Sequence, residues 1–271
     1  MSATIAISNQ KGGVAKTTTC LSLGAALAEM GHSVLLVDLD PQANLTVSLG
    51  IKPEDLRRTA LDVFMGHSTL VGVSRESEIP YLDIVPANYE LVLADKILYK
   101  SPGFQFRLRD AIQKLHPGMY DYVLLDCPPS LSPLTLNALS AADMVLIPVQ
   151  CELYAAQSLR RMIRLATQMR QQYNPNLDYH VLVTMYDQRN KISQMILEQL
   201  LNGKGYGLFQ TIIQIDTKLR ESPVYGRPIT AYASGSRSAE QYRALARELT
   251  SPEIDRLLHR KEAESSERNH V

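Results

Sequence analysis

Gln10-Lys11-Gly12-Gly13-Val14-Ala15-Lys16-Thr17-Thr18 decides how this chain of 271 residues is read. Before it, Thr4-Ile5-Ala6-Ile7-Ser8 is a short apolar run of strand type. After it, Lys16 to Met30 carries apolar residues three and four apart, the spacing of a helix, and Gly31 falls just past its end. A strand, a glycine turn and a helix in this order aim backbone N–H groups and a helix N-terminus at one point, which suits a polyanion. Gly12 and Gly13 let phosphates come close to the backbone. Lys16 is placed to reach the outer phosphates of a nucleotide, and the Thr17 hydroxyl to ligate Mg²⁺. The ordinary spacing G-x-x-x-x-G-K-[ST] is not met, because Gln10 and Ala15 stand at its two glycine positions. The flanking strand and helix carry the assignment instead, and a chance Gly-Gly turn beside surface lysines is the competing account.

Working outward, Ser33 to Asp38, Leu82 to Pro86, Tyr120 to Asp126, Met144 to Val149, Tyr179 to Met185 and Leu208 to Ile213 repeat the apolar strand pattern. Helical stretches lie between most of them, notably Phe104–Leu115, Tyr154–Tyr173 and Lys191–Leu201. Strands without polar alternation, separated by helices, predict an α/β fold: a doubly wound, mostly parallel twisted sheet with helices on both faces. We expect one domain over residues 1–250 and a polar tail over 251–271, with Arg256, Arg260, Lys261, Glu262, Glu264 and Glu267, after a last short helix.

Composition excludes several classes. An apolar fraction of 45% with 21% charged residues does not fit a disordered chain. No apolar run approaches a membrane span, so a soluble intracellular protein is expected. Cys20, Cys127 and Cys151 are too few and too scattered for a disulfide framework or a paired-cysteine metal site. The formal net charge is zero, yet residues 1–150 sum to −4 and residues 151–271 to +4. An anionic partner would meet the second half, unless its arginines only solvate helix faces. Arg160, Arg161 and Arg164 illustrate the point, since Arg160 and Arg164 stack on one helix face.

Aspartates close two of the strands. Asp126 after Tyr122-Val123-Leu124-Leu125 is either a strand-end residue or, opposite the glycine loop, a Mg²⁺ neighbour. Asp38 and Asp40 end the second strand, with strand-end or capping roles as the alternative. The loop itself resembles the deviant Walker A pattern K-G-G-x-x-K-[ST], with Lys11 as its second lysine. Val34 through Gln42 resembles the switch I segment of ParA-type, Soj-like DNA-partition ATPases, and Tyr122 through Ser130 their Walker B strand. Ile147 to Glu152, Val183 to Asp187, Leu219 to Ile229 and Ser236 to Tyr242 are similar to further family segments in family order.

The resemblance implies ATP and Mg²⁺ as cofactors, with Lys11, Gly12, Gly13, Val14, Ala15, Lys16, Thr17 and Thr18 at the nucleotide. It implies Asp40 at the attacking water, with Thr17, Asp38 and Asp126 around the metal. It implies slow, partner-stimulated hydrolysis, Lys11 crossing a two-fold interface of an ATP-dependent homodimer, and a ParB-like partner. It also implies sequence-neutral DNA binding on the nucleoid, for which Arg160, Arg164, Arg189, Lys218 and Arg220 are the candidate contacts. Gln214-Ile215 stands where the family often has Pro-Arg, which puts local nucleotide contacts and one cation in doubt. Two relatives compete: an ATPase that positions a protein or organelle cargo, and a MinD-like membrane ATPase, for which Ile254, Leu257 and Leu258 offer little apolar anchor.

Overall fold

The computed structural model describes residues 2–203 and 205–258. Its strands are β1 (Ala3–Ile7), β2 (Val34–Asp38), β3 (Arg75–Glu76), β4 (Leu82–Val85), β5 (Tyr122–Asp126), β6 (Met144–Gln150), β7 (Asp178–Tyr186) and β8 (Gly207–Gln214). The helices are α1 (Lys16–Glu29), α2 (Asn44–Val47), α3 (Ala60–Met65), α4 (Leu70–Val73), α5 (Val92–Leu98), α6 (Arg107–Ile112) and α7 (Pro133–Ala141). They continue with α8 (Ala155–Gln172), α9 (Lys191–Leu201), α10 (Lys218–Glu221), α11 (Ile229–Tyr232), α12 (Arg237–Leu249) and α13 (Pro252–Leu258).

All eight strands form one sheet in the order β3-β4-β2-β5-β1-β6-β7-β8, and only the β3–β4 pair is antiparallel. The expected doubly wound, mostly parallel architecture is what the chain adopts. β1, β2 and β5 are buried at every residue, so side chains on both faces are apolar and no alternation appears. One apolar cluster joins the sheet to α3, α5, α6, α7 and α8; the other joins it to α1, α12 and α13. Gly24 lets α1 lie close on the sheet, because a Cβ there would stand 2.7 Å from Leu36 Cδ2.

The strand order reverses at β1, which lies between β5 and β6, and in such sheets the carboxyl ends of the strands at that point form the ligand crevice. In-register pairing brings Asp38 of β2 level with Asp126 of β5, and Ile7 of β1 level with Asp126. Three features depart from the sequence reading. The helix expected over Phe104–Leu115 is a 3₁₀ turn, Phe104–Phe106, running into the shorter α6, where the Asn137 side chain of α7 takes the Leu108 N–H. β3 was not anticipated, being only two exposed charged residues on the sheet edge. Several short helices between residues 44 and 98 carry too few turns for a periodic signal. The last short helix is present as α13, with Ile254 and Leu258 buried. Arg260, Lys261, Glu262, Glu264 and Glu267 lie outside the described residues. Among the described residues no helix is long and apolar enough to cross a membrane.

Candidate functional site

The loop between β1 and α1 is held from beneath by side chains far away in sequence. Asn9 is buried; its Nδ2 donates to the Pro148 carbonyl at 2.7 Å, and its Oδ1 accepts the Lys11 N–H at 3.0 Å. The same oxygen accepts the Ser158 hydroxyl of α8 at 2.6 Å. From β7, the Thr184 hydroxyl donates to the Val14 carbonyl at 3.1 Å, fixing a residue whose own side chain is buried. Gly13 and Ala15 both take left-handed conformations, with φ of 72° and 64°. Ala15 therefore does what a glycine does at the start of α1, at a steric cost. Nothing stands within 4 Å of a Cβ built on Gly12 or Gly13, so their outer side is open to a ligand.

Lys16 lies almost wholly inside, with Nζ donating to the Lys11 carbonyl at 3.1 Å. Burial lowers its pKa, while Asp126 and Asp40 nearby favour its charge. Lys11 is half-exposed, and its ammonium pairs with Glu152. Thr17 and Thr18 line the cleft above the loop.

The carboxylates sit at the strand ends. Asp126 is 1% exposed and neither of its oxygens has a hydrogen-bond partner among the described residues. Burial pushes its carboxyl well up, Asp38 adds to the rise, and the Thr17 hydroxyl and Lys16 offset part of it. Asp38 is fully buried and saturated: Oδ2 accepts from the Thr46 N–H at 2.9 Å and its hydroxyl at 2.6 Å, and Oδ1 from the Asp40 N–H at 3.1 Å. Burial still lifts it to about 6. Asp40 is half-buried; its Oδ1 accepts the Gln42 N–H at 2.9 Å and its carbonyl the Ala43 N–H at 2.8 Å, so a tight turn holds it at the cleft. A buried carboxylate without donors, level with a second buried carboxylate on the next strand and beside a threonine hydroxyl and an open glycine loop, fits a hard divalent cation that keeps water and phosphate oxygens as its other ligands. Among the described residues no group of three or more His, Cys, Asp or Glu is arranged as a self-sufficient metal cage.

The cleft over the loop has a volume of about 1250 Å³, and its far wall is Ile213 to Asp216, Leu219, Arg220 and Tyr242. Met185 contributes from β7, where a left-handed φ of 51° and register shifts beyond Val181 turn the strand end into the cleft. Gln214 and Ile215 lie in this wall, and Arg237 donates to the Ile215 carbonyl at 2.9 Å. Gly226 closes against Gly50: a Cβ on Gly226 would stand 2.9 Å from the Gly50 Cα, and both glycines have positive φ. The segment after α10 thereby rests on the segment after α2.

The five candidate cations separate. Arg220 lines the cleft and Lys218 is exposed on α10. Arg189 is gripped by Asp187 through Nε at 3.0 Å and Nη2 at 3.1 Å. Arg160 and Arg164 are exposed on α8. The sequence reading gave Asn9, Thr46, Glu152, Ser158 and Thr184 no individual role. Each is a common surface type in isolation, and only the fold brings it to the loop or to Asp38.

A glycine loop at a reversal of strand order, with carboxylates closing β5 and β2, defines a P-loop nucleoside-triphosphatase fold with a second lysine before its glycines. The sequence model of the AAA domain family matches residues 2–179. The chain is 41% identical over 254 residues to the chromosome partitioning protein ParA of Caulobacter vibrioides, covering 93% of this chain and 95% of that one. It is 39% identical over 246 residues to the sporulation initiation inhibitor protein Soj of Bacillus subtilis, covering 90% and 97%. Among solved structures, cobyrinic acid a,c-diamide synthase from Mycobacterium smegmatis with bound ADP and magnesium matches with a TM-score of 0.80 and 35% identity, covering 97% and 96%. The chain belongs to the ParA family of the MinD/ParA ATPases.

Proposed function

We propose that this protein is a partition ATPase: ATP and Mg²⁺ draw two copies together, the dimer binds DNA without sequence preference, and hydrolysis releases it. One observation carries the reading. The orphaned Asp126 carboxylate stands near Lys16 beneath an open glycine loop, in a chain similar over 90% or more of its length to ParA and Soj.

Gly12, Gly13 and the backbone through Thr18 cradle the phosphates, and Lys16 leaves the Lys11 carbonyl to meet them. Thr17 and Asp126 would hold Mg²⁺, with Asp38, fixed by Thr46, beside them. The metal, when bound, neutralises charge on the phosphates. Asp40 orients the attacking water from its tight turn. Catalysis by placement and charge, with no covalent intermediate, is compatible with slow turnover that a ParB-like partner speeds. Lys11 exchanges Glu152 for phosphate bound to the second copy, so that ADP, lacking the γ-phosphate, holds the pair less well. The protein works in the cytoplasm on the nucleoid.

The test is binding to random-sequence DNA with ATP·Mg²⁺, ADP·Mg²⁺ or no nucleotide, across a salt series. Binding confined to ATP and weakening with salt is the expected result; an ATP dimer that ignores DNA overturns the partition reading. Lys16→Ala should not bind nucleotide, and normal affinity in it would remove Lys16 from the site. Lys11→Ala should bind ATP and stay monomeric, whereas Asp40→Ala should persist as the ATP dimer.

A further inference from the structure

The stretch from Leu153 to Leu177 contains four arginines and no Asp or Glu. Arg170 is used by the fold: Nε donates to the Leu177 carbonyl at 2.7 Å and Nη2 pairs with Asp178 at 3.3 Å. Arg160, Arg161 and Arg164 are exposed, and none has an ion-pair or hydrogen-bond partner among the described residues. Among the other described arginines of the basic half, Arg220 is also exposed but lines the nucleotide cleft, and most of the rest are taken. Asp187 holds Arg189, Glu29 and Glu240 hold Arg243, Glu240 also holds Arg247, and Arg237 sits on a carbonyl. Lys218 and Arg220 share their four-residue helix with Glu221.

On α8 the exposed side is ordered. Gln157, Arg161, Arg164, Gln168 and Gln171 follow at intervals of four, three, four and three, one stripe of an α-helix, with Arg160 beside it. The stripe runs for about 21 Å at the helical rise per residue. Leu159, Met162, Leu165, Ala166 and Met169 occupy the opposite, buried side, so the arginines take no part in packing. Glutamines and arginines alone offer only N–H donors plus amide oxygens, with no carboxylate to compete. Duplex DNA presents about one negative charge per 1.7 Å of its axis, a density such a stripe matches without reading bases. A membrane-surface helix needs apolar side chains in the contact face, and this stripe has none. The helix also starts at the nucleotide site: Ser158 in its first turn bonds Asn9, which holds the Lys11 N–H, and Glu152 just before it holds the Lys11 ammonium.

We infer that the Arg160, Arg161 and Arg164 stripe of α8 is a phosphate-backbone contact surface for duplex DNA. The inference rests on the partition reading above and adds to it the element that grips. It is tested by replacing all three arginines with alanine, and separately with lysine, in the full chain. Affinity for a random-sequence duplex is measured with ATP·Mg²⁺ over a salt series, beside ATP-dependent dimerisation, ATP turnover and binding to vesicles containing phosphatidylserine. The alanine variant should still form the ATP dimer, turn over ATP, and lose about tenfold or more in DNA affinity. Its log–log salt slope should shrink by about 0.9 for each phosphate contact removed, and the lysine variant should recover most of both. If the alanine variant forms the dimer and binds DNA with unchanged affinity and slope, the stripe is not the contact while the partition reading stands. If the wild-type ATP dimer binds no DNA, both fall. If the alanine variant keeps its DNA affinity and loses only vesicle binding, the occupant is a lipid surface and the inference is overturned.

Discussion

Ala15 holds a conformation that costs an L-residue about 1–2 kcal/mol relative to the right-handed region. Glycine there would remove that strain but cost about 0.4–1 kcal/mol through a freer unfolded chain. Ala15→Gly should therefore raise unfolding stability by roughly 0.5 kcal/mol, read as a higher urea midpoint at constant slope. A lower midpoint would show that the methyl group packs usefully. At the other end of the site, Asp38 and Asp126 keep their protons to higher pH than the unfolded chain does. The native state then binds more protons from about pH 4 upward, so the ligand-free protein should lose stability as pH rises through about 6. The loss expected from Asp38 is of the order of 2–3 kcal/mol, and it should vanish from the Asp38→Asn, Asp126→Asn double variant. Chemical denaturation at intervals between pH 4 and pH 7 measures it; parallel curves for the two proteins would mean that the pair does not titrate this way.

At the scale of elements, Thr46 in α2 ties three pieces together. Its hydroxyl and N–H bond Asp38 of β2, and the same oxygen accepts the Ala87 N–H just beyond β4 at 3.0 Å. Thr46→Val keeps the shape and orphans both buried partners of the hydroxyl, so it should cost about 2 kcal/mol, while Thr46→Ser should cost much less. Equal losses in the two would assign the role to packing by the methyl group. The contrast with the strands explains what sequence could reveal. β1, β2 and β5 are apolar on both sides and announce themselves, and the Gly-Gly turn between β1 and α1 marks the loop by local chemistry alone. Ser158 lies 149 residues from Asn9 and Thr184 170 residues from Val14; no spacing rule links serine or threonine to such partners. Met185 was equally silent, because nothing in a methionine foretells a positive φ. Asp126 was legible as a strand-end acid, but its lack of partners became visible only once β5 was seated between β1 and β2.

The whole molecule is a sheet with one apolar cluster per face and a cleft at its strand ends, so a ligand bound in the cleft couples to global stability. ATP·Mg²⁺ at a hundred times its Kd should add about 2.7 kcal/mol to unfolding stability. Chelating the metal should remove most of that gain, and Lys16→Ala should show neither effect. Thermal unfolding with and without EDTA measures all three, and a gain in Lys16→Ala equal to wild type would relocate the nucleotide. The acidic first half and basic second half were evident as charge sums. Which basic residues stand free was not, because Asp187 grips Arg189 only through a folded turn and Glu29 meets Arg243 across two helices.

The three cysteines lend this molecule a stopwatch. Cys20, Cys127 and Cys151 are all free, with exposures of 0%, 1% and 2%, and burial pushes each thiol above its ordinary pKa. A water-soluble disulfide reagent can then react only when the surrounding structure parts, so its rate counts openings rather than surface thiols. Cys127 follows Asp126 directly and should tick with the cleft, slowing sharply when ATP·Mg²⁺ is added, whereas Cys151, beyond the end of β6, should slow less. Mass-resolved labelling of the unmodified protein would read both clocks in one tube, and equal slowing at the two would mean that the molecule opens as a single body.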